Sequence, residues 1–431
     1  ALGIRTDRMR TDTTPRLNLD TIDLSKTRAQ RSEDVPLAFD IWGEKRVHRS
    51  DYACYFSHTT PETHAILAAN IHRSPLFTGE IKTLGPRYCP SLEDKFLKFP
   101  DRDTHPIVFE PVSRATREVY VQNFSTGLPY DVQVELVHSL PGCENTKIIK
   151  PAYAIEYVYV EPDQLSPTLE SKAIGGFFCA GQVNGTSGYE EAAAQGLLAG
   201  INAALLVREE EPVVLSRSDA YLGVLVDDLT TKSTKEPYRM LTSRCEHRLL
   251  LRYDNADRRL APIGRRVGLI DDARWEETVR RWEREDAEIG RLERTRLAPT
   301  EEVNRILAEA GADPLSESTT LAAMLKRRNV TYDLLGALES GPLDGEEAFY
   351  VETALRYAGY IEKQERVAAR MADMDSVLIP EGFDYEGVSG LLAESRQKLI
   401  RFRPRSLGQA LRISGVTPAD VELLSVAVRK R

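Results

Sequence analysis

A glycine-rich block over residues 181–203 constrains the fold of this chain more than any other feature of its sequence. An apolar run at residues 174–180, which predicts a strand, leads into it, and an alanine-rich segment that predicts a helix ends it. Glycine permits positive φ and close approach of a ligand to the backbone, and free amides at a helix start favour an anion or an electron-rich ring edge. A tight turn would explain the glycines but not the polar and aromatic residues among them. Those residues are Gln182, Asn184, Tyr189 and Glu190.

Length and composition bound the class of protein. A chain of 431 residues is too long for one ordinary core, so two or three domains are expected. Hydrophobic residues make up 42% and charged residues 29%, which is typical of a soluble globular protein without a membrane span. Five scattered cysteines favour reduced thiols over a disulfide framework. The sequence has no Cys-x-x-Cys and no His-rich cluster, so no structural zinc site is expected.

Charge is unevenly distributed along the chain. The net charge of −9 does not indicate a nucleic-acid binder as a whole. From Arg396 to Arg431, however, nine basic residues stand against two acidic ones. This basic tail permits local phosphate contact, and a solvated basic helical surface is the other interpretation of the same pattern.

Hydrophobic periodicity separates a mixed first half from a helical second half. Short apolar runs predict strands at residues 52–56, 106–110, 118–122, 147–149 and 155–160, with helices at 60–70 and 131–140. After about residue 215 the pattern becomes helical. An amphipathic helix is predicted from apolar residues spaced by three, four and seven, namely Trp275, Val279, Trp282, Ile289 and Leu292.

A second dense motif runs from Gly85 to Phe99 and contains Cys89. Its cations could hold phosphates, and cations lower the pKa of a nearby thiol. These cations are Arg87, Lys95 and Lys98. Ser91, followed by acidic residues, predicts a helix start. Cys89 is therefore either a functional thiol or a buried structural cysteine in a turn bracketed by prolines.

Four arginines recur near a spacing of four or five, which predicts a cationic stripe that could face RNA phosphates. They are Arg239, Arg244, Arg248 and Arg252. An ion-paired helix is the alternative interpretation. Its acidic partners would be Asp227, Asp228, Glu246, Asp254 and Asp257.

Together these motifs resemble the flavin-dependent tRNA wobble-uridine modification enzymes of the MnmG (GidA) family. The resemblance runs from about residue 2 to the end and includes the segments 359–364 and 406–420 near the C-terminus. The family's Gly-x-Gly-x-x-Gly fingerprint, which lies in its N-terminal third, does not occur in this sequence, so we expect the chain to correspond to the remaining two thirds. Asp7 and Asp12 stand where the family usually has glycine, and His247 stands where it usually has tyrosine.

The resemblance implies an α/β plus all-α fold, the remainder of a two-dinucleotide-domain, glutathione-reductase-like FAD fold with an inserted α/β domain and a helical C-terminal half. The implied domains are 1–18 (FAD-binding, first part), 19–86 (inserted nicotinamide-type α/β domain), 87–210 (FAD-binding, second part), 211–362 (helical) and 363–431 (C-terminal helical domain that binds partner and tRNA).

The resemblance also implies site residues. It implies FAD contacts at Gly181, Gln182, Asn184, Gly185, Gly188, Tyr189 and Glu190. It implies NAD(H) contacts at Gly85, Pro86, Arg87, Tyr88, Cys89, Pro90, Ser91, Leu92, Glu93, Asp94, Lys95, Phe96, Leu97, Lys98 and Phe99. Cys89 is the implied catalytic residue, Arg239 and Arg248 the implied RNA contacts, and no metal is expected.

The implied activity is FAD-dependent addition of a carboxymethylaminomethyl or aminomethyl group at carbon 5 of the tRNA wobble uridine, with a folate as one-carbon donor. The implied partners are tRNA, the GTPase MnmE in a heterotetramer and a second copy of the chain, in the cytoplasm or in the mitochondrion of a eukaryote. The alternative is a truncated, non-catalytic module that binds tRNA and the GTPase without FAD. A different two-domain flavoprotein reductase or hydroxylase is a third possibility.

Overall fold

A computed structural model describes residues 3–33, 36–37, 41–43, 46–47, 53–88, 90–339, 341–343 and 345–429. The chain divides into two compact units. The first comprises Ala1–Gln164, Cys179–Gly196 and Ser233–Arg239. The second comprises Leu165–Phe178, Leu197–Lys232 and Met240–Arg431.

The first unit is built on antiparallel sheets. Its strands are β1 (Thr6–Asp12), β2 (Arg16–Asn18), β3 (Arg28–Gln30), β4 (Pro36–Leu37), β5 (Arg46–Val47), β6 (Cys54–His58), β7 (Pro106–Pro111), β8 (Glu118–Gln122), β9 (Ile148–Lys150) and β10 (Ala154–Val160). Six of them form a sheet in the order β3-β6-β7-β8-β2-β9, while β1 pairs with β10 and β4 with β5. The strands predicted from residue 52 to residue 160 thus occur, each within about two residues of the expected position.

Apolar residues of the strands supply the core of this unit. Ile107, Val108 and Phe109 are buried in succession on β7, whereas Val119 and Val121 on β8 alternate with less buried residues. The helices are α1 (Pro61–Asn70), α2 (Pro75–Thr78), α3 (Leu92–Lys98) and α4 (Tyr130–His138), and α5 (Tyr189–Val207) begins here. Thr60 caps α1 with a capping box and a proline in the first turn, so the helix predicted at 60–70 is confirmed.

The second unit is almost entirely helical. Its helices are α6 (Tyr221–Lys232), α7 (Ala256–Arg266), α8 (Asp272–Arg294), α9 (Glu301–Glu309), α10 (Leu321–Leu325), α11 (Tyr332–Leu338), α12 (Gly345–Ser376), α13 (Ala393–Phe402), α14 (Leu407–Arg412) and α15 (Pro418–Arg429). A two-stranded ribbon joins β11 (Arg296–Leu297) to β12 (Thr319–Thr320). The mixed first half and helical second half are therefore confirmed.

The predicted amphipathic helix is α8, and it buries charge as well as apolar residues. Glu285 and Glu288 are buried beside Leu292. Glu285 accepts hydrogen bonds from Arg258, and Glu288 accepts one from the Tyr332 hydroxyl at 2.8 Å. Pairing lowers the cost of burying these carboxylates, which periodicity in apolar residues alone does not reveal.

Two predictions of local structure were wrong. Residues 174–180 form turns with one isolated bridge rather than a strand, because the Ser171 hydroxyl accepts from the amides of Ala173 and Ile174 and bends the chain. The arginine-bearing segment is not helical beyond the short 3-10 turn Thr242–Arg244. There, arginine side chains bind the carbonyls that a helix would use; Arg252, for example, donates to the carbonyl of Leu249.

The domain boundaries remain a prediction, although the six-stranded sheet takes strands from both sides of residue 86. Among the helices that the structure describes, none is both long and apolar enough to cross a membrane.

Candidate functional site

The glycine-rich block forms a compact turn in the first unit. Gly181–Asn184 makes one 3-10 turn, and Gly185 ends it in the left-handed region at φ 74°. A side chain at Gly185 would lie 3.2 Å from the Tyr159 ring, so both the backbone angle and the space require glycine. Gly188, at φ 128°, then leads into α5.

Gln195, which sequence reasoning missed, holds this turn from inside. Its Oε1 accepts from the Gly181 amide at 3.2 Å and from Asn184 Nδ2 at 3.0 Å. Its Nε2 donates to Thr186 Oγ1 at 3.0 Å and to the carbonyl of Glu191 at 2.9 Å. Gln195 is fully buried, and no local sequence signal sets it apart, because Asn202 is a second buried amide on the same helix.

The block therefore separates into a buried base and an exposed surface. Gly181, Asn184 and Gly185 are buried, whereas Gln182 and Tyr189 are exposed, Tyr189 to 93%. Among the residues predicted to meet FAD, Gln182, Tyr189 and Glu190 are thus open to a ligand. Asn184 instead shapes the turn, with its Oδ1 buried and unpartnered among the described residues.

Tyr157 on β10 lies beside this exposed surface. Its hydroxyl shares a hydrogen bond with Gln182 and approaches the sulfur of Met9 at 3.8 Å. Burial raises the pKa of Tyr157, and the bond to Gln182 lowers it less. Tyr157 thus remains a neutral hydrogen-bonding group next to the turn at neutral pH.

Arg239 is held against the same block. The amide of Ser187 donates to the carbonyl of Tyr238 at 2.8 Å, and the amide of Tyr238 donates to the carbonyl of Gly185 at 2.8 Å. This bridge brings the Arg239 guanidinium to 3.2 Å from Glu191 and 3.8 Å from Glu190. Arg239 is 40% exposed, so it keeps a free outer side at the start of α5.

The second motif begins as a turn and continues as α3. Ser91 caps α3 by accepting from the Asp94 amide at 3.2 Å, which confirms the predicted helix start. Two of its cations are exposed and ion-paired, Arg87 to Glu236 at 3.2 Å and Lys98 to Asp94 at 3.4 Å. Cys89 lies outside the described residues.

A buried charged cluster joins β1 to this motif. Arg10 donates to Asp94 at 3.0 Å and lies 3.4 Å from Asp12, and a side chain on Gly85 would meet the Arg10 guanidinium at 3.0 Å. Glu93, fully buried, accepts from the Ser74 hydroxyl and the Gly127 amide at 3.0 Å each.

The cluster is short of hydrogen-bond partners. Arg10 Nε, Asp12 Oδ1 and Glu93 Oε2 are buried and have no partner among the described residues. Burial raises the pKa of Asp12 to about 6, opposed by Arg10 and reinforced by Glu93 and Asp94. Asp7 is exposed on the surface of β1, outside this cluster.

In the second unit, Arg248 is exposed and donates through Nε to the carbonyl of Cys245 at 3.4 Å. The Cys245 thiol is buried, which raises its pKa. Most acidic residues near the arginines in sequence are occupied elsewhere, because Arg217 binds Asp227 at 3.1 Å and Asp228 at 2.8 Å. Sequence reasoning did not single out Arg217.

A cavity of about 280 Å³ in the second unit adjoins Arg217 and Arg412. Arg412 on α14 binds Asp227 on α6 at 2.9 Å and Asp375 on α12 at 3.0 Å. The two arginines beside the cavity are thus already paired with carboxylates, and we assign this cluster of charges a structural role.

Comparison with known proteins places this arrangement in a class. The model described as "Glucose inhibited division protein A" matches residues 1–211. The models of the "tRNA modifying enzyme MnmG/GidA" C-terminal helical domain and helical bundle match residues 272–365 and 367–431. The matched segments thus place the chain in a class of tRNA-modifying enzymes.

Two curated relatives carry the name "tRNA uridine 5-carboxymethylaminomethyl modification enzyme MnmG". The one from Thermodesulfovibrio yellowstonii is 48% identical over all of this chain and 69% of its own length. The one from Exiguobacterium sibiricum is 49% identical over all of this chain and 68% of its own length. The chain belongs to the MnmG/GidA family, as its motifs indicated.

Two solved structures of a GidA protein resemble this chain in fold. Aquifex aeolicus GidA in one crystal form superposes with a TM-score of 0.87 at 39% identity, over 99% of this chain and 68% of that one. A second crystal form gives 0.87 at 40% identity, over 99% and 69%.

Proposed function

We propose that this chain acts in FAD-dependent modification of the tRNA wobble uridine at carbon 5. Its relatives are named for 5-carboxymethylaminomethyl modification of tRNA uridine. The observation that carries the proposal is the turn at Gly181–Asn184, which the buried Gln195 holds rigid while Gln182 and Tyr189 stay exposed. A rigid turn with one open face suits a bound planar cofactor.

The residues of this turn fit a flavin. The exposed Gln182 amide offers both a donor and an acceptor to the polar edge of the ring system, and the start of α5 offers backbone amides. FAD supplies redox chemistry when bound. The chain's own contribution is to orient that edge through Gln182 and to keep Tyr157 neutral beside it.

The second motif is proposed to hold NAD(H). The exposed Arg87 and Lys98 are its available phosphate contacts, because their present ion pairs lie at the surface and are weak. Ser91, Leu92 and Glu93 are buried, so they support the motif from behind rather than touch a cofactor. Cys89 is proposed as the nucleophile or proton-transfer group, and a folate as the one-carbon donor.

The proposed partners are tRNA, through Arg239 and Arg248, and the GTPase MnmE, through the C-terminal helices α13–α15. We further propose a homodimer in the cytoplasm, or in the mitochondrion of a eukaryotic host.

A flavin spectrum tests the central proposal. The purified chain is expected to absorb near 450 nm, and Gln182→Ala is expected to lower the flavin retained per mole of protein. Tyr130→Ala, an exposed tyrosine elsewhere in the first unit, is the matched control. A colourless wild-type protein that cannot be reconstituted with FAD would overturn the flavin proposal.

The second candidate function is a module that binds tRNA and the GTPase without FAD. The observation that favours it is that Arg239 and Arg248, the proposed RNA contacts, keep exposed surface that RNA could reach. A colourless protein that still retains tRNA on a filter would support it.

A further inference from the structure

An exposed pair of stacked aromatic rings stands on the second unit. Tyr253 packs on Phe349 of α12 with ring centroids 5.8 Å apart and an interplanar angle of 16°. Tyr253 is 74% exposed and Phe349 45%. Single apolar side chains on a surface need no explanation, but two nearly parallel rings leave a flat aromatic face open to solvent.

The turn that carries Tyr253 is firmly held, so the ring is presented in a defined position. Asn255 Nδ2 donates to the carbonyl of Leu250 at 3.0 Å, and Gln364 of α12 accepts from the Leu249 amide at 3.1 Å. Arg252 binds both oxygens of Asp254, at 3.0 and 2.9 Å. Preorganisation of this kind reduces the entropy lost when a ligand binds.

The local charges indicate which part of a ligand the ring would meet. The charged groups that act on the Tyr253 hydroxyl are Asp254 and Glu346, both acidic. Arg252 already pairs with Asp254, so these groups offer a phosphate no attraction at the ring, whereas a neutral, planar base needs none. Arg248 lies five residues before Tyr253 and is exposed, so it offers a cation to the phosphate backbone of the same ligand.

We propose that the open face of Tyr253, backed by Phe349, stacks with an unpaired base of an RNA ligand. The inference rests on the proposed function, since it takes tRNA as the ligand, and it adds a contact that reads the base rather than the phosphate. Stacking of bases on aromatic side chains is a general mode of recognition for unpaired RNA.

Filter binding of an unmodified tRNA transcript with a wobble uridine, at several salt concentrations, tests the proposal. Tyr253→Ala is expected to weaken affinity by about 5- to 100-fold without changing the slope of log affinity against log salt. Tyr253→Phe keeps the ring and is expected to bind like wild type. Arg248→Ala is expected to lower that slope by about one, as a lost phosphate contact does.

Phe349→Leu removes the backing ring and is expected to give an intermediate loss. Tyr130→Ala is the matched control for loss of an exposed tyrosine. If wild type binds tRNA while Tyr253→Ala binds equally well, or if Tyr253→Phe fails like alanine, the stacking proposal is overturned. If wild type does not bind tRNA at all, the proposed function itself fails.

Discussion

Asp12 Oδ2 lies 3.4 Å from Arg10 Nη1 at the end of strand β1. The same guanidinium also donates to Asp94 Oδ2 at 3.0 Å, so two carboxylates share one buried cation. Glu93 adds a third carboxylate to the electrostatics of the cluster. The cluster is therefore under-compensated, and its stability should depend on protonation.

Asp12 should make the free energy of unfolding fall as the pH rises from about 4 to about 6. Its pKa is raised from 3.8 to about 6 in the folded protein, so its proton favours folding below pH 4 and that advantage is lost on going through pH 6. Urea unfolding of wild type and Asp12→Asn from pH 4 to pH 7.5 should differ by up to about 3 kcal/mol in their pH dependence. Parallel pH curves for the two proteins would contradict this assignment.

Gln195→Leu should destabilise the glycine turn, because it leaves the Gly181 amide and the Thr186 hydroxyl without their buried partner. The expected loss is about 2–4 kcal/mol in the free energy of unfolding. Gln182→Ala, at an exposed position of the same turn, should change it by less than about 0.5 kcal/mol. Equal stability of both variants would show that Gln195 does not hold the turn.

Arg412→Met should cost about 3 kcal/mol in the free energy of unfolding, because it leaves Asp375 without its cation and leaves Asp227 with Arg217 alone. Denaturant titration measures this loss. Arg405→Met, an exposed arginine a few residues earlier, is the control and should be near neutral. A neutral Arg412→Met would indicate that the aspartates are protonated or solvated instead.

Cys89→Ser should abolish tRNA modification while leaving tRNA affinity within about twofold of wild type, if the thiol acts in chemistry rather than in binding. Cys54→Ser is the matched control, because burial and Glu110 raise the pKa of the Cys54 thiol and keep it unreactive. Modification yield on a purified tRNA transcript is the measurement. Full activity of Cys89→Ser would remove the catalytic role.

Features that depend on neighbouring residues could be predicted from the sequence. Thr60 with Pro61 and Ser91 before acidic residues are complete local signals for helix starts, and both helices begin there. The β-branched and aromatic runs that predicted β7 and β8 are likewise local signals.

Features that depend on partners distant in sequence could not be predicted. Gln195 acts on Gly181, 14 positions away, and nothing near it in sequence distinguishes it from a surface glutamine. Arginine spacing predicted a helix at 239–252, but side chains bind the carbonyls there. Arg217, for example, donates to the carbonyl of Arg244. Likewise, the exposed Tyr253 forms a stacked pair only through Phe349, which is distant in sequence.

The bond between Arg412 and Asp227 spans 185 positions of sequence. During synthesis on the ribosome, at about 5–20 residues per second, Asp227 emerges roughly 10–40 s before Arg412 does. Through that interval Asp227 can pair with Arg217 but not yet with Arg412. The second unit cannot reach its final electrostatic balance until Arg412 has been synthesised, so a chain that stops before α14 should be a poorly folded target for proteases rather than a shorter working protein.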